Sequence, residues 1–144
     1  MINKYEAVMD FLQEYPEAPK FFNVTEYRDE NISLEPLIND TTIRKYLDGT
    51  KEKEFKFSIA FIKSISDMPY NNKNLEDFFD IGVFMEWIEE QNDKEKFPDF
   101  GERCTISKME NMQDTPMPAG KNEKLVKYAF SVKITYLERK KNNV

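Results

Sequence analysis

Val126-Lys127-Tyr128-Ala129-Phe130-Ser131-Val132-Lys133-Ile134-Thr135-Tyr136 carries a large apolar side chain at every second position, with small or polar residues between. A period of two marks an extended strand, in which successive side chains point to opposite faces. One face of this strand is expected to lie on a core and the other in water. Such half-wet strands belong to antiparallel sheets covered on one side; the parallel sheets of nucleotide-binding folds are buried on both faces. The expected fold is therefore a small α+β domain with a mainly antiparallel sheet.

Upstream, Phe55, Phe57, Ile59 and Phe61 alternate with Lys56, Ser58 and Ala60 in the same rhythm. Before them, Thr42 to Leu47 leads into Asp48-Gly49, a turn signal because glycine accepts the positive φ that tight hairpins need. Together these segments predict a long hairpin. Thr50, Lys51, Glu52 and Lys53 read as a longer loop or as a tip projecting beyond the sheet, with charges that resist edge pairing. Phe21 to Val24 reads as a short strand, Thr25 to Asp40 as strand fragments or an ordered loop, and Cys104 to Met112 as a weaker strand. Phe97-Pro98-Asp99-Phe100-Gly101 is a turn with aromatic anchors, and Gln113 to Gly120 is a loop.

Two helices flank the sheet. In the first, Ile2 to Tyr15, the residues Ile2, Tyr5, Val8, Met9, Leu12 and Tyr15 share one side. Pro16 stops it, since proline disfavours a helical residue before it. The central helix runs from about Leu75 to Gln91, with Asn74 as its N-cap and Asp77 favouring its positive end. Leu75, Phe78, Ile81, Gly82, Met85 and Ile88 form the expected apolar arc. Val83 and Trp87 fall on the acidic side with Glu76, Asp80, Glu86 and Glu90. A loop of the same chain covering them is the ordinary reading; a subunit contact is the alternative.

The 144 residues suit one domain, 1–144, with the basic end 139–144 frayed. The N-terminus lacks the basic-then-apolar pattern of a secretory signal, and no apolar run is long enough to span a bilayer. A net charge of −6 argues against general nucleic-acid binding, which needs clustered Lys and Arg. The single Cys104 fits a reducing compartment and reads as a packing residue.

There is no histidine, so the commonest general base and neutral metal ligand is missing, and with it every Ser-His-Asp or Cys-His arrangement. Four glycines make no phosphate loop. Glu76, Asp77 and Asp80 leave open a carboxylate metal site or an acid pair, against the ordinary reading of a solvated helix face. No catalytic residue, cofactor or resident metal is expected.

Several segments in order carry a resemblance: Ile43 to Thr50 followed by Phe55-Lys56-Phe57, then Phe84-Met85-Glu86-Trp87-Ile88-Glu89-Glu90-Gln91, then Phe97 to Gly101, then Tyr128 to Glu138. This layout resembles the minor-capsid or tail-completion proteins of long-tailed bacteriophages, and is similar to their tail terminators. The resemblance implies an α+β subunit in a hexameric ring that caps the tail tube, stops its polymerisation and joins it to the head connector. Its partners would be further copies, the tail tube protein and the head-connector protein, with DNA only as passing cargo through an acidic channel and no membrane. The place implied is the virion's tail or neck, assembled in the bacterial cytoplasm. Candidate contacts are Thr50, Lys51, Glu52 and Lys53, then Trp87, and the loop residues Asp114, Thr115, Pro116, Met117 and Pro118, either as a fixed contact or ordered on assembly. The alternatives are another neck component such as a head-closure protein, a small cytoplasmic protein-binding module, and a carboxylate-dependent metal enzyme.

Overall fold

The two clearest period-two segments lie side by side. In the computed structural model, which describes residues 3–23, 29–37, 41–66 and 72–140, they form β4 (Lys51–Ser64) and β7 (Leu125–Glu138), of 14 residues each. They pair antiparallel from Lys51 opposite Glu138 to Ser64 opposite Leu125, without a slip. At the usual rise per residue this ribbon is about 46 Å long before twisting. Phe55 faces Ile134, Phe57 faces Val132 and Ile59 faces Phe130, so one side of the ribbon is a continuous apolar surface. On the other side Ser58 faces Ser131 and Ala60 faces Ala129. Lys56 lies directly opposite Lys133, a pairing that costs energy between like charges. Lys133 is instead drawn to Glu54 at 3.2 Å and Glu110 at 3.4 Å, and its bond to Glu54 holds its ammonium above the usual lysine range despite partial desolvation.

Each outer edge of the ribbon carries two shorter strands laid end to end. Beside β4 are β2 (Asn31–Pro36) and β3 (Thr41–Lys45), with β1 (Phe21–Phe22) adding parallel to β2. Beside β7 are β5 (Cys104–Asn111) and β6 (Met117–Lys121). The described residues thus form one seven-stranded, mostly antiparallel sheet in an α+β domain, as the alternation predicts. Of the two readings of Thr25 to Asp40, the strand holds: it contains the regular strand β2, its residues 25–28 and 38–40 lying outside the description. One expected loop differs. The second half of Gln113 to Gly120 is β6, because its backbone continues the edge of β7 after a short break. At that break the Gln113 side-chain carbonyl accepts the Ser131 N–H at 3.1 Å, standing in for a missing strand.

Helix α1 (Lys4–Leu12) starts at Asn3, whose side chain accepts the N–H groups of Tyr5 and Glu6. Val8 and Leu12 are buried, and Tyr5 packs edge-on to Phe55. Ile2 lies outside the described residues. Helix α2 (Lys73–Asp93) covers the rest of the apolar face. Its start corrects the expectation for Asn74, which lies inside the helix and exchanges two hydrogen bonds with the Ser66 backbone instead of capping. Asp77 meets Lys73 at 2.6 Å. Of the expected arc, Ile81, Met85 and Ile88 are buried as anticipated and Phe84 joins them, while Leu75 stands in the open. Phe84 packs edge-on to both Phe61 and Phe130. The Phe97–Gly101 turn anchors as expected, with Pro98 and Phe100 buried and Phe100 against Phe55 and Tyr136. Gly101 has φ +95° there, and its N–H donates to Asp99 Oδ1.

Candidate functional site

The surface has two contrasting features. The first is the turn between β3 and β4. Tyr46 N–H donates to Thr50 O, Gly49 N–H to Tyr46 O, and Thr50 N–H to Asp48 Oδ1. That last bond holds the Asp48 carboxyl below its usual range. Gly49 is required by its φ of +91°, and the flexible Lys140 side chain lies against it, with Cδ 2.8 Å from where a Cβ would stand. The segment that follows β7 therefore packs on the turn, bringing cations from three parts of the chain to one end of the sheet. A cleft of about 500 Å³ there is lined by Lys45, Lys51, Arg103, Arg139 and Lys140 against Asp48 and Glu138. Glu138 is engaged by Lys53 at 3.2 Å, and Arg103 donates twice to the Arg139 carbonyl. In a chain of net charge −6, this end is positive. Tyr46 and Leu47 stand out from it, Leu47 with no cover at all.

The second feature is a groove between α2 and the break separating β5 from β6. Asn111 Nδ2 donates to Met85 O, and Met109 N–H to Asn92 Oδ1, docking the helix on this edge. Beside that seam lies a groove of about 400 Å³, with Phe78, Phe79, Gly82 and Pro116 among its lining and Glu86, Glu89 and Asp114 around it. Leu75 and Phe79 are each 69% exposed, and Val83 continues their stripe one turn on. Gly82 sits in the interior of a 21-residue helix, where glycine costs about 1 kcal/mol relative to alanine. A Cβ there would meet no described atom within 4 Å, so the packing of the described residues does not demand glycine.

The expected contact residues separate. Thr50 to Lys53 are neither a loop nor a projecting tip: Thr50 closes the turn, and Lys51, Glu52 and Lys53 lie in β4, paired with both β3 and β7. The exposed tip is Tyr46 to Gly49 instead, a step earlier in the chain. Trp87 is half-buried under the chain's own aromatic residues, 5.6 Å from the Phe11 ring and 5.3 Å from the Tyr15 ring. Asp114, Thr115 and Pro116 do line the groove, while Met117 and Pro118 belong to β6 and are exposed. Sequence reasoning missed Tyr46, Leu47 and Phe79. The signal available was an apolar Tyr-Leu pair immediately before Asp-Gly, where a turn normally carries polar residues.

Burial pushes the Cys104 thiol up, which makes it a poor nucleophile at neutral pH. Among the described residues, no group of three or more Cys, Asp or Glu side chains is placed to hold a metal ion, and no helix is long and apolar enough to cross a membrane. Comparison with known protein families finds no matching family model, and comparison with curated proteins finds no match.

Proposed function

We propose that this chain is a structural assembly subunit of the tail-terminator kind, whose copies form a ring that caps a phage tail tube and joins it to the head connector. The observation that carries the reading is the placement of the sheet's unpaired edges. Among the described residues, the outer side of β3 and the outer side of β6 pair with no further strand, and every residue of both is exposed. They occupy opposite corners: β3 beside residues 51–54 of β4, β6 beside residues 126–129 of β7. Open edges offer backbone donors and acceptors to another chain. Edges at opposite corners suit a subunit with a different neighbour on each side, the arrangement from which rings are built.

Co-expression with a tail tube protein, followed by negative-stain imaging, tests the reading. The expected result is rings of this chain alone and tubes that stop growing with a ring at one end. Tubes whose lengths and ends are unchanged by the chain would overturn the terminator role.

A further inference from the structure

We propose that the Tyr46–Gly49 turn of one copy seats in the α2 groove of the next, so that copies of this chain join head to tail. The inference rests on the self-assembly reading above and names its contact. An apolar residue at a turn tip gains nothing within its own chain when it is fully exposed, as Leu47 is. It gains if a partner buries it. The groove is its counterpart, with the apolar walls Leu75 and Phe79 left open and Gly82 bare at a helix position where a side chain would fit.

Charge selects the pairing. Lys45, Lys51 and Lys140 surround the turn, and Glu86, Glu89 and Asp114 line the groove. Two copies approaching turn to turn, or groove to groove, would bring like charges together; only turn to groove brings opposite charges onto an apolar contact. A chain cannot satisfy its own groove. The turn lies where Lys51 faces Glu138, and the groove between the Asn111–Val132 and Met117–Ala129 pairings. The groove is thus six to nine strand steps from the turn, roughly 20–30 Å along the ribbon. The contact is therefore heterologous, and it closes into a ring or continues as a filament according to its rotation.

The test uses full-length protein with Cys104→Ser, carrying Leu47→Cys in one preparation and Phe79→Cys in another. On oxidation, the mixture is expected to give at least tenfold more cross-linked pairs than either preparation alone. In parallel, Lys45→Glu with Lys140→Glu, and Glu86→Lys with Glu89→Lys, are each expected to weaken association at least tenfold in sedimentation velocity. Mixing the two charge-reversed proteins is expected to restore it, with circular dichroism showing both folded. Cross-links confined to Leu47→Cys alone, an unrestored mixture, or a wild-type chain monomeric at every concentration would overturn the proposal. So would a basic end that takes duplex DNA while copies stay apart. Wild-type rings lacking the mixed cross-link sink this contact and leave the ring reading standing. The mixed cross-link in a protein that leaves tail tubes uncapped does the reverse.

Discussion

The β4–β7 ribbon and the β5–β6 edge beside it share one sheet but are held in different ways. The ribbon is an unbroken ladder of 14 residue pairs with an aromatic face sealed by two helices. The edge pairs on one side only, shifts register between Ile106 and Lys108 and again between Pro118 and Gly120, and is interrupted where Gln113 lends its side chain to the ladder. Stability is thus concentrated where two faces and two neighbours are satisfied at once. The open ends, the turn and the groove remain exposed.

The largest expected effect lies in the ribbon. Phe57 is fully buried at its centre, and Phe57→Ala should cost about 3–5 kcal/mol in denaturant unfolding, since it leaves a cavity in an aromatic core. Ile43→Ala on the exposed β3 edge should stay within about 0.5 kcal/mol. Comparable losses at both positions would erase the contrast between spine and edge.

Next comes the break in the edge. Gln113→Ala leaves the Ser131 N–H without its acceptor, at a cost of about 1–2 kcal/mol. Hydrogen exchange locates the effect. The Ser131 amide should exchange faster while Ile59 and Phe61, deeper in the ribbon, stay protected. Loss of protection throughout the ribbon would show that the edge and the spine unfold as one unit.

The same contrast governs what could be read in advance. β7, β4 and the Asp48-Gly49 turn were legible because each is written locally, in a strict alternation or a dipeptide. β6 was not legible: Pro118 and Gly120 are poor strand formers. They are tolerated because an edge strand pairs on one side only. The expected α2 arc holds at Ile81, Met85 and Ile88 but misses Phe84 and includes the exposed Leu75, for a different reason. Leu75, Phe79 and Val83 extend apolar character round the helix from the true core face at Phe84 and Ile88, so the sequence pattern alone does not say which side is covered. Among the groove-lining residues, Asp114 to Pro116 stood out in the sequence as a proline-containing break. The basic cleft did not, because Lys45, Arg103 and Lys140 are distant in the chain and meet only after the sheet forms.

Gly82 separates folding from the proposed contact. Gly82→Ala should stabilise the isolated chain by about 0.5–1 kcal/mol, because the helical backbone loses unfolded-state freedom and the methyl group meets nothing. Gly82→Leu should leave the fold intact while filling the groove and weakening association. A destabilising Gly82→Ala would mean that the groove is tighter than its geometry indicates.

The smallest effect tests how the ribbon's far end is tied. Glu30 Oε1 accepts the Ser64 N–H at 2.9 Å and meets Lys73 at 3.1 Å, while Lys73 also donates to the Ser64 carbonyl. The backbone bond from Ser64, with help from Lys73, holds the Glu30 carboxyl down to about 2, from an ordinary 4.5. A carboxylate favoured in the folded state contributes stability that is fully present above its unfolded value. That stability falls away as the pH drops from near 4.5 towards 2. The Glu30 side chain is 46% exposed, so solvent screening reduces the contribution to about 1 kcal/mol or less. Glu30→Gln keeps the acceptor geometry but removes the charge. It should lower stability slightly at pH 7 and flatten the acid limb of the stability curve between those two pH values. An acid limb unchanged by the substitution would move the ribbon's acid sensitivity to the Lys133–Glu54–Glu110 cluster, where burial pushes the Glu110 carboxyl up but Lys108 and Lys133 outweigh it and hold it low.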